Sequence, residues 1–131
     1  MAHHVKDMIR THPSTTRFDQ DALEACIHAC FDCAQSCTAC ADACLAEEMV
    51  TELRVCIRLN LDCADVCEMT GRVLSRWGEE RIQTSVLEPC RQACRLCAEE
   101  CERHADMHEH CRVCAEACRE CEEACDPLLA A

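Results

Sequence analysis

Within four runs, the cysteines of this 131-residue chain recur only at gaps of three, four or seven residues. The first run is Cys26, Cys30, Cys33, Cys37, Cys40 and Cys44, and the second is Cys56, Cys63 and Cys67. The third is Cys90, Cys94, Cys97 and Cys101, and the fourth is Cys111, Cys114, Cys118, Cys121 and Cys125. All 18 cysteines fall in these runs. The spacing is that of a helix seam, where leucine or isoleucine ordinarily stands. No segment alternates with period two and turn dipeptides are nearly absent, so the expected fold class is all-α.

The stripes predict four long helices. The first starts near Thr16, where Thr16-x-x-Asp19 resembles a capping box, and runs to about Ala46. The second spans about Glu48 to Trp77, ending near Gly78. The third begins between Glu79 and Ser85, with Ser85-x-x-Glu88 as a second capping signal and Pro89 in a first turn, and ends near Ala105. The fourth runs from about Met107 to Cys125 and is stopped by Asp126-Pro127. Short loops make consecutive helices antiparallel neighbours. The expectation is one up-down-up-down antiparallel four-helix bundle over residues 14–126 with a Cys-lined core. Residues 1–13 form an N-terminal segment, a short and loosely attached helix ended by Pro13, and residues 127–131 a C-terminal tail. The unit Cys-x3-Cys-x2-Cys-x3-Cys repeats at 26–37, 90–101 and 114–125. Alanine precedes many of these cysteines; it favours helix and lets neighbours approach closely.

Composition narrows the function. The formal charge of −12 and pI near 4.9 argue against a nucleic-acid partner. No apolar run is long enough to cross a bilayer, so no membrane partner is expected. No signal peptide and no twin-Arg pair is present, which predicts a cytoplasmic protein whose thiols stay reduced. With one Trp, two Phe and no Tyr, the metal-free core is weakly driven, since each buried Cys contributes less than a Leu.

On a helix, side chains at i and i+4 point the same way, with Cβ atoms roughly 5–6 Å apart. Two metal–sulfur bonds of about 2.3 Å in line span about 4.6 Å, so one soft ion bridges a Cys-x3-Cys pair such as Cys26–Cys30. Thiolates select Cu(I), Zn or Fe–S clusters. Zinc held by four thiolates leaves net negative charge at every buried site, which is costly. Cu(I) replacing one thiol proton leaves the charge unchanged. With each ion on two sulfurs and each sulfur bridging two ions, capacity is on the order of one copper per cysteine.

The two ends of such a tube differ. Extending the stripes places Leu23, Leu74, Trp77, Leu87 and Leu128 at one end as an apolar plug. Met49, His104, Met107 and His108 fall at the other, with His110 close by and Glu47 and Glu48 adding negative charge. Thioether and imidazole hold Cu(I) less firmly than paired thiolates, so copper is expected to enter and leave at this end. The second helix contributes fewest thiols, and its seam brings Asn60 to face the tube, where its carbonyl could touch a metal or a thiol.

Plainer readings compete with these. Met49 and Met107 also suit core filling, and His104 and His108 suit ordinary helix-end positions. Asn60 reads first as a hydrogen-bonding core residue and only second as a ligand. His28 lies off the stripe and is expected to be solvated, as are the Glu99–Glu100 and Glu122–Glu123 runs. His3, His4 and His12 sit in a tail expected to be mobile, where His3 or His4 near a free amine offers a weak Cu(II) site. The Cys-x2-Cys units lack the βαβ context of a thioredoxin-like motif. No Glu stands three residues before any His, which argues against a carboxylate di-iron centre.

With these residues in view, the chain resembles the bacterial copper storage proteins, a Cys-rich four-helix-bundle family. The likeness covers about residues 16–126 and rests on the four cysteine stripes, the repeats and the His/Met group at one end. It implies a cytosolic, non-enzymatic homotetramer that stores many Cu(I) ions. The cysteines would be the ligands, and His104, Met107, His108 and His110 would stand at the copper-accepting mouth. A copper-delivery partner is left unidentified. The alternatives are a metallothionein-like thiolate buffer for Zn and Cu, and a thiol redox protein.

Overall fold

The computed structural model describes residues 4–131. The N-terminal helix α1 spans His4–Arg10 and is followed by four long helices: α2 Gln20–Leu45, α3 Arg54–Leu74, α4 Glu80–His104 and α5 Glu109–Leu129. A 3-10 turn at Val50–Leu53 leads into α3. Helix α2 packs on α3 and α5, and α4 packs on the same two helices, so the four close a ring around one axis. This is the expected all-α bundle.

Several boundaries differ from expectation, each for a local reason. Asp19, not Thr16, caps α2: its carboxylate accepts the Ala22 amide at 2.9 Å. The second long helix starts at Arg54, because the chain from Met49 first winds as a tighter turn, and Trp77 lies beyond its end. Glu79 caps α4 through the Arg81 amide, so Ser85 is inside the helix and donates its hydroxyl to the Ile82 carbonyl. Pro89 is likewise interior, at the cost of one i→i−4 bond. Asp126-Pro127 does not stop α5. The helix carries on through Leu129 because Leu128 is buried in the core, so residues 127–129 are not a loose tail.

The N-terminal helix is seated more firmly than expected. Ile9 is buried, and Val5 packs against the core. The ring of His12 stacks on Trp77 with centroids 3.9 Å apart, while its Nδ1 accepts the Ser14 amide. His4 and His12 thus belong to a described, packed segment; His3 lies outside the described residues. Trp77 is taken up by this contact and is only partly buried, whereas Leu23, Leu74, Leu87 and Leu128, one from each long helix, form the buried apolar plug. Gly71 allows a close crossing of α2 and α3, since a Cβ there would stand 2.9 Å from the Phe31 ring.

The outer face of α4 and α5 is tied by charge. Arg95 donates to Glu122 at 2.7 Å, and Arg119 reaches both Glu102 and Glu122. Glu122 was expected to be solvated but is mostly covered by these two arginines, which hold its carboxyl below the usual range against the opposing effect of burial.

Candidate metal centre

Every cysteine is free and buried. The 3.6-residue period of each helix turns its stripe inward, and the four stripes meet on the axis. Among the described residues, Cys33, Cys37, Cys63 and Cys118 place their sulfurs within 4.8 Å of one another, as do Cys33, Cys67, Cys94 and Cys121, and Cys37, Cys97, Cys114 and Cys118. Because these sets share members, the sites overlap along one column. A sulfur in two sets is positioned to bridge.

The thiols hydrogen-bond to one another as donors and acceptors, and this divides their acidities. S–H donation from Cys101 and Cys40 pulls the Cys56 thiol down to about 3, and donation from Cys125 and Cys30 pulls Cys26 down to about 5. Burial and the nearby Cys56 charge push Cys44 up to about 11. Cys30, Cys37, Cys94 and Cys101 are raised chiefly by hydrogen bonds to neighbouring thiols. The column therefore carries both proton-holding and proton-releasing sulfurs, side by side.

At the end opposite the leucine plug, His110 is the imidazole that reaches the thiols. Its Nδ1 stands 3.4 Å from Cys40 Sγ and 3.6 Å from Cys111 Sγ, and it joins Cys40, Cys44 and Cys111 in a four-ligand group. Glu47 orients it from outside: one carboxylate oxygen lies 2.8 Å from His110 Nε2 and 3.0 Å from His108 Nδ1. The His110 hydrogen bond is the leading reason that the Glu47 carboxyl is held below its usual range. A carboxylate placed behind an imidazole in this way fixes the orientation of the ring.

His104 is placed differently. Its Nε2 bonds to Glu100 at 2.8 Å, and Glu100, expected to be solvated, is buried beneath it and also meets Arg103. The i,i+4 spacing of Glu100 and His104 was the available signal. Met107 is 66% exposed in the α4–α5 turn, and Met49 is half-buried before the 3-10 turn, so both flank the mouth. His28, expected to be solvated, is half-exposed beside Glu24. Asn60 does face the tube and is fully buried, with its carbonyl oxygen accepting from thiols.

Fold and site together define a class: a four-helix bundle enclosing a continuous column of thiols with one polar mouth. The chain belongs to the copper storage protein family, whose model matches residues 19–130. It is similar to the copper storage protein Ccsp from Streptomyces lividans loaded with 10 copper equivalents, with 53% identity, a TM-score of 0.93 and coverage of 96% of this chain and 98% of that one. A second structure, a cytosolic copper storage protein from Streptomyces lividans with five coppers, is 56% identical with a TM-score of 0.82, covering 85% and 94% of the two chains. The Cu(I)-bound copper storage protein BsCsp3 is 36% identical with a TM-score of 0.75, covering 84% and 99%.

Proposed function

We propose that this protein is a cytosolic Cu(I) store, not an enzyme, and that all 18 cysteines are its ligands. The observation that carries this reading is the sharing of sulfurs between neighbouring four-thiol sets. Shared sulfurs let thiolates bridge neighbouring ions, and the charge balance of the buried column favours Cu(I), which replaces one thiol proton without leaving a negative charge at each site. The Cu(I)-bound and copper-loaded states of the similar proteins support the choice of metal. The one described as cytosolic supports the compartment. The test is competition between zinc and copper on reduced protein. Cu(I) is expected to displace zinc and exceed its stoichiometry several-fold. Four or five zinc ions that Cu(I) fails to displace would instead identify a general thiolate buffer.

His108 and His110 form the mouth in this reading, with Glu47 behind them, and Met49, Met107 and His104 border it. An imidazole that touches Cys40 and Cys111 hands the ion to thiolates without passing it through water. Replacing both His108 and His110 by Ala is expected to slow loading about tenfold, a barrier change of about 1.4 kcal/mol. Final capacity should fall by only an ion or two, read by stopped-flow uptake and end-point copper analysis. Lost capacity with unchanged rates would assign these histidines to storage and not to transfer.

The homotetramer implied by the family resemblance is part of the same proposal. Val55, Leu61 and Met69 on α3 and Ile82 and Leu96 on α4 are large, apolar and exposed in the single chain, which supports self-association.

A further inference from the structure

Glu47 lies in the loop between α2 and the 3-10 turn, and a single one of its oxygens, Oε2, serves two imidazoles. His110 donates from Nε2 to it at 2.8 Å, and His108 places Nδ1 against it at 3.0 Å. The two rings lie side by side, with centroids 5.5 Å apart and planes tilted by 23°, yet each turns a different nitrogen to the shared acceptor. A carboxylate only accepts, and a neutral imidazole carries its proton on one nitrogen. Two lone pairs facing each other at these distances repel. In each ring the nitrogen against Glu47 must therefore be the protonated one. That leaves His110 with a bare Nδ1 and His108 with a bare Nε2. The bare Nδ1 of His110 is the atom that stands 3.4 Å from Cys40 Sγ and 3.6 Å from Cys111 Sγ.

We propose that Glu47 is a positioning residue for copper entry, which fixes opposite tautomers in His108 and His110 so that each ring keeps one unprotonated nitrogen for Cu(I) and the one on His110 faces the thiols. The assignment rests on the Cu(I)-storage reading above. Imidazole holds a metal through its unprotonated nitrogen, and the hydrogen bond made by the other nitrogen decides which one that is. With its proton on Nδ1, His110 would aim an N–H at Cys40 and Cys111 and turn its bare nitrogen away from the column. Copper bound there would have to leave the ring before it met a sulfur. The loop that carries the carboxylate is anchored at the ligands it serves: the Glu47 amide donates to the Cys44 carbonyl at 3.2 Å, and Cys44 belongs to the same four-ligand group as His110. The pairing recurs at His104, whose Nε2 is held by the buried Glu100 at 2.8 Å.

The experiment uses the reduced, isotopically labelled full-length chain without oxygen. Long-range proton–nitrogen correlation spectra of the copper-free protein report which nitrogen of each imidazole bears hydrogen. His108 is expected as the Nδ1–H tautomer and His110 as the Nε2–H tautomer. Cu(I), supplied as its acetonitrile complex, is then followed by stopped-flow uptake and end-point copper analysis. Glu47→Ala is expected to mix the tautomers and to slow uptake roughly tenfold, the lower end of the range for removing an outer-shell partner, with capacity unchanged. Glu47→Gln keeps an oxygen able to accept from both rings, and is expected to keep the tautomers and most of the rate. In a background of His108→Ala with His110→Ala, Glu47→Ala is expected to slow uptake no further, because its effect passes through those rings. Equal slowing by Glu47→Gln and Glu47→Ala would assign Glu47 to electrostatic attraction of the cation and overturn the proposal. Mixed tautomers in the wild type, or further slowing in the double-alanine background, would overturn it too. Uptake of only a few ions by the wild type removes the storage reading and the entry role with it, while the tautomers are read separately from the spectra.

Discussion

Leu74→Ala is expected to cost the copper-free protein about 2–5 kcal/mol, the range for emptying a buried leucine site. A domain of this size has only about 5–15 kcal/mol in total. The loss matters more here than in an ordinary bundle because leucines are scarce in the core. Leu23, Leu53, Leu74, Leu87 and Leu128 are the largest fully buried side chains, and most of the remaining core is cysteine. A thiol removes less apolar surface from water than an isobutyl group, so the plug supplies a disproportionate share of the hydrophobic drive. Copper changes the balance. A ligand that binds only the native state adds RT ln(1 + [L]/Kd), about 4 kcal/mol for each site held at a thousandfold excess over Kd. Copper adds the same free energy to wild type and variant, so the loaded variant should resist urea better than the empty wild type while the difference between variant and wild type persists in both forms. Anaerobic urea melts of both forms measure this. A loss below about 1 kcal/mol in the empty protein would mean that the thiols, not the plug, hold the bundle closed.

The second large effect is on protons. Copper uptake is expected to release protons near neutral pH, up to about one per ion, because a coordinating thiol must be deprotonated, while thiols held low in the empty protein, such as Cys26 and Cys56, contribute none. Hydrogen bonding and burial raise Cys30, Cys37, Cys94 and Cys101, so these thiols enter the reaction protonated. The sign follows directly. Acid supplies the competitor, so affinity falls as pH falls, by up to about tenfold per ion for each pH unit. A weakly buffered titration with a pH indicator reads the released protons, and a chelator competition at two pH values reads the affinity. Uptake without proton release would mean that the column is already ionised when empty, and burying that much charge in a bundle would then need another cation to balance it.

How far the sequence reached depended on which interactions are local. The cysteine stripes alone specify four inward faces, because helical period is a property of each segment by itself. The four-leucine plug followed from extending those stripes, and so did the inward position of Asn60. Helix ends were harder. Thr16 and Ser85 both begin plausible caps, yet Asp19 and Glu79 win because packing places the first buried turn, at Leu23 and Gln83, just after them. Pro127 looked like a stop, but the burial of Leu128 outweighs one lost backbone bond. The N-terminal segment looked loosely attached because its anchor, the stack of His12 on Trp77, joins residues far apart in the chain. Glu122 and Glu100 read as solvated charges for the same kind of reason. The arginines covering Glu122 come partly from a neighbouring helix, and the fold buries Glu100 under His104. At the mouth, His104 and His108 lie on the stripe, but His110, one residue off it, makes the thiol contact because α5 begins only at Glu109 and turns its first residues toward Cys40.

The most direct test of copper storage is an oxygen-free titration of the fully reduced protein with Cu(I) against a competing Cu(I) chelator, followed to saturation. Tight uptake on the order of one copper per cysteine is the expected result, since that capacity requires nearly every sulfur to serve as a bridging ligand. Saturation at one or a few ions would contradict it. Most of the column would then be thiol packing, and a chaperone or redox role for a single cysteine cluster would take its place.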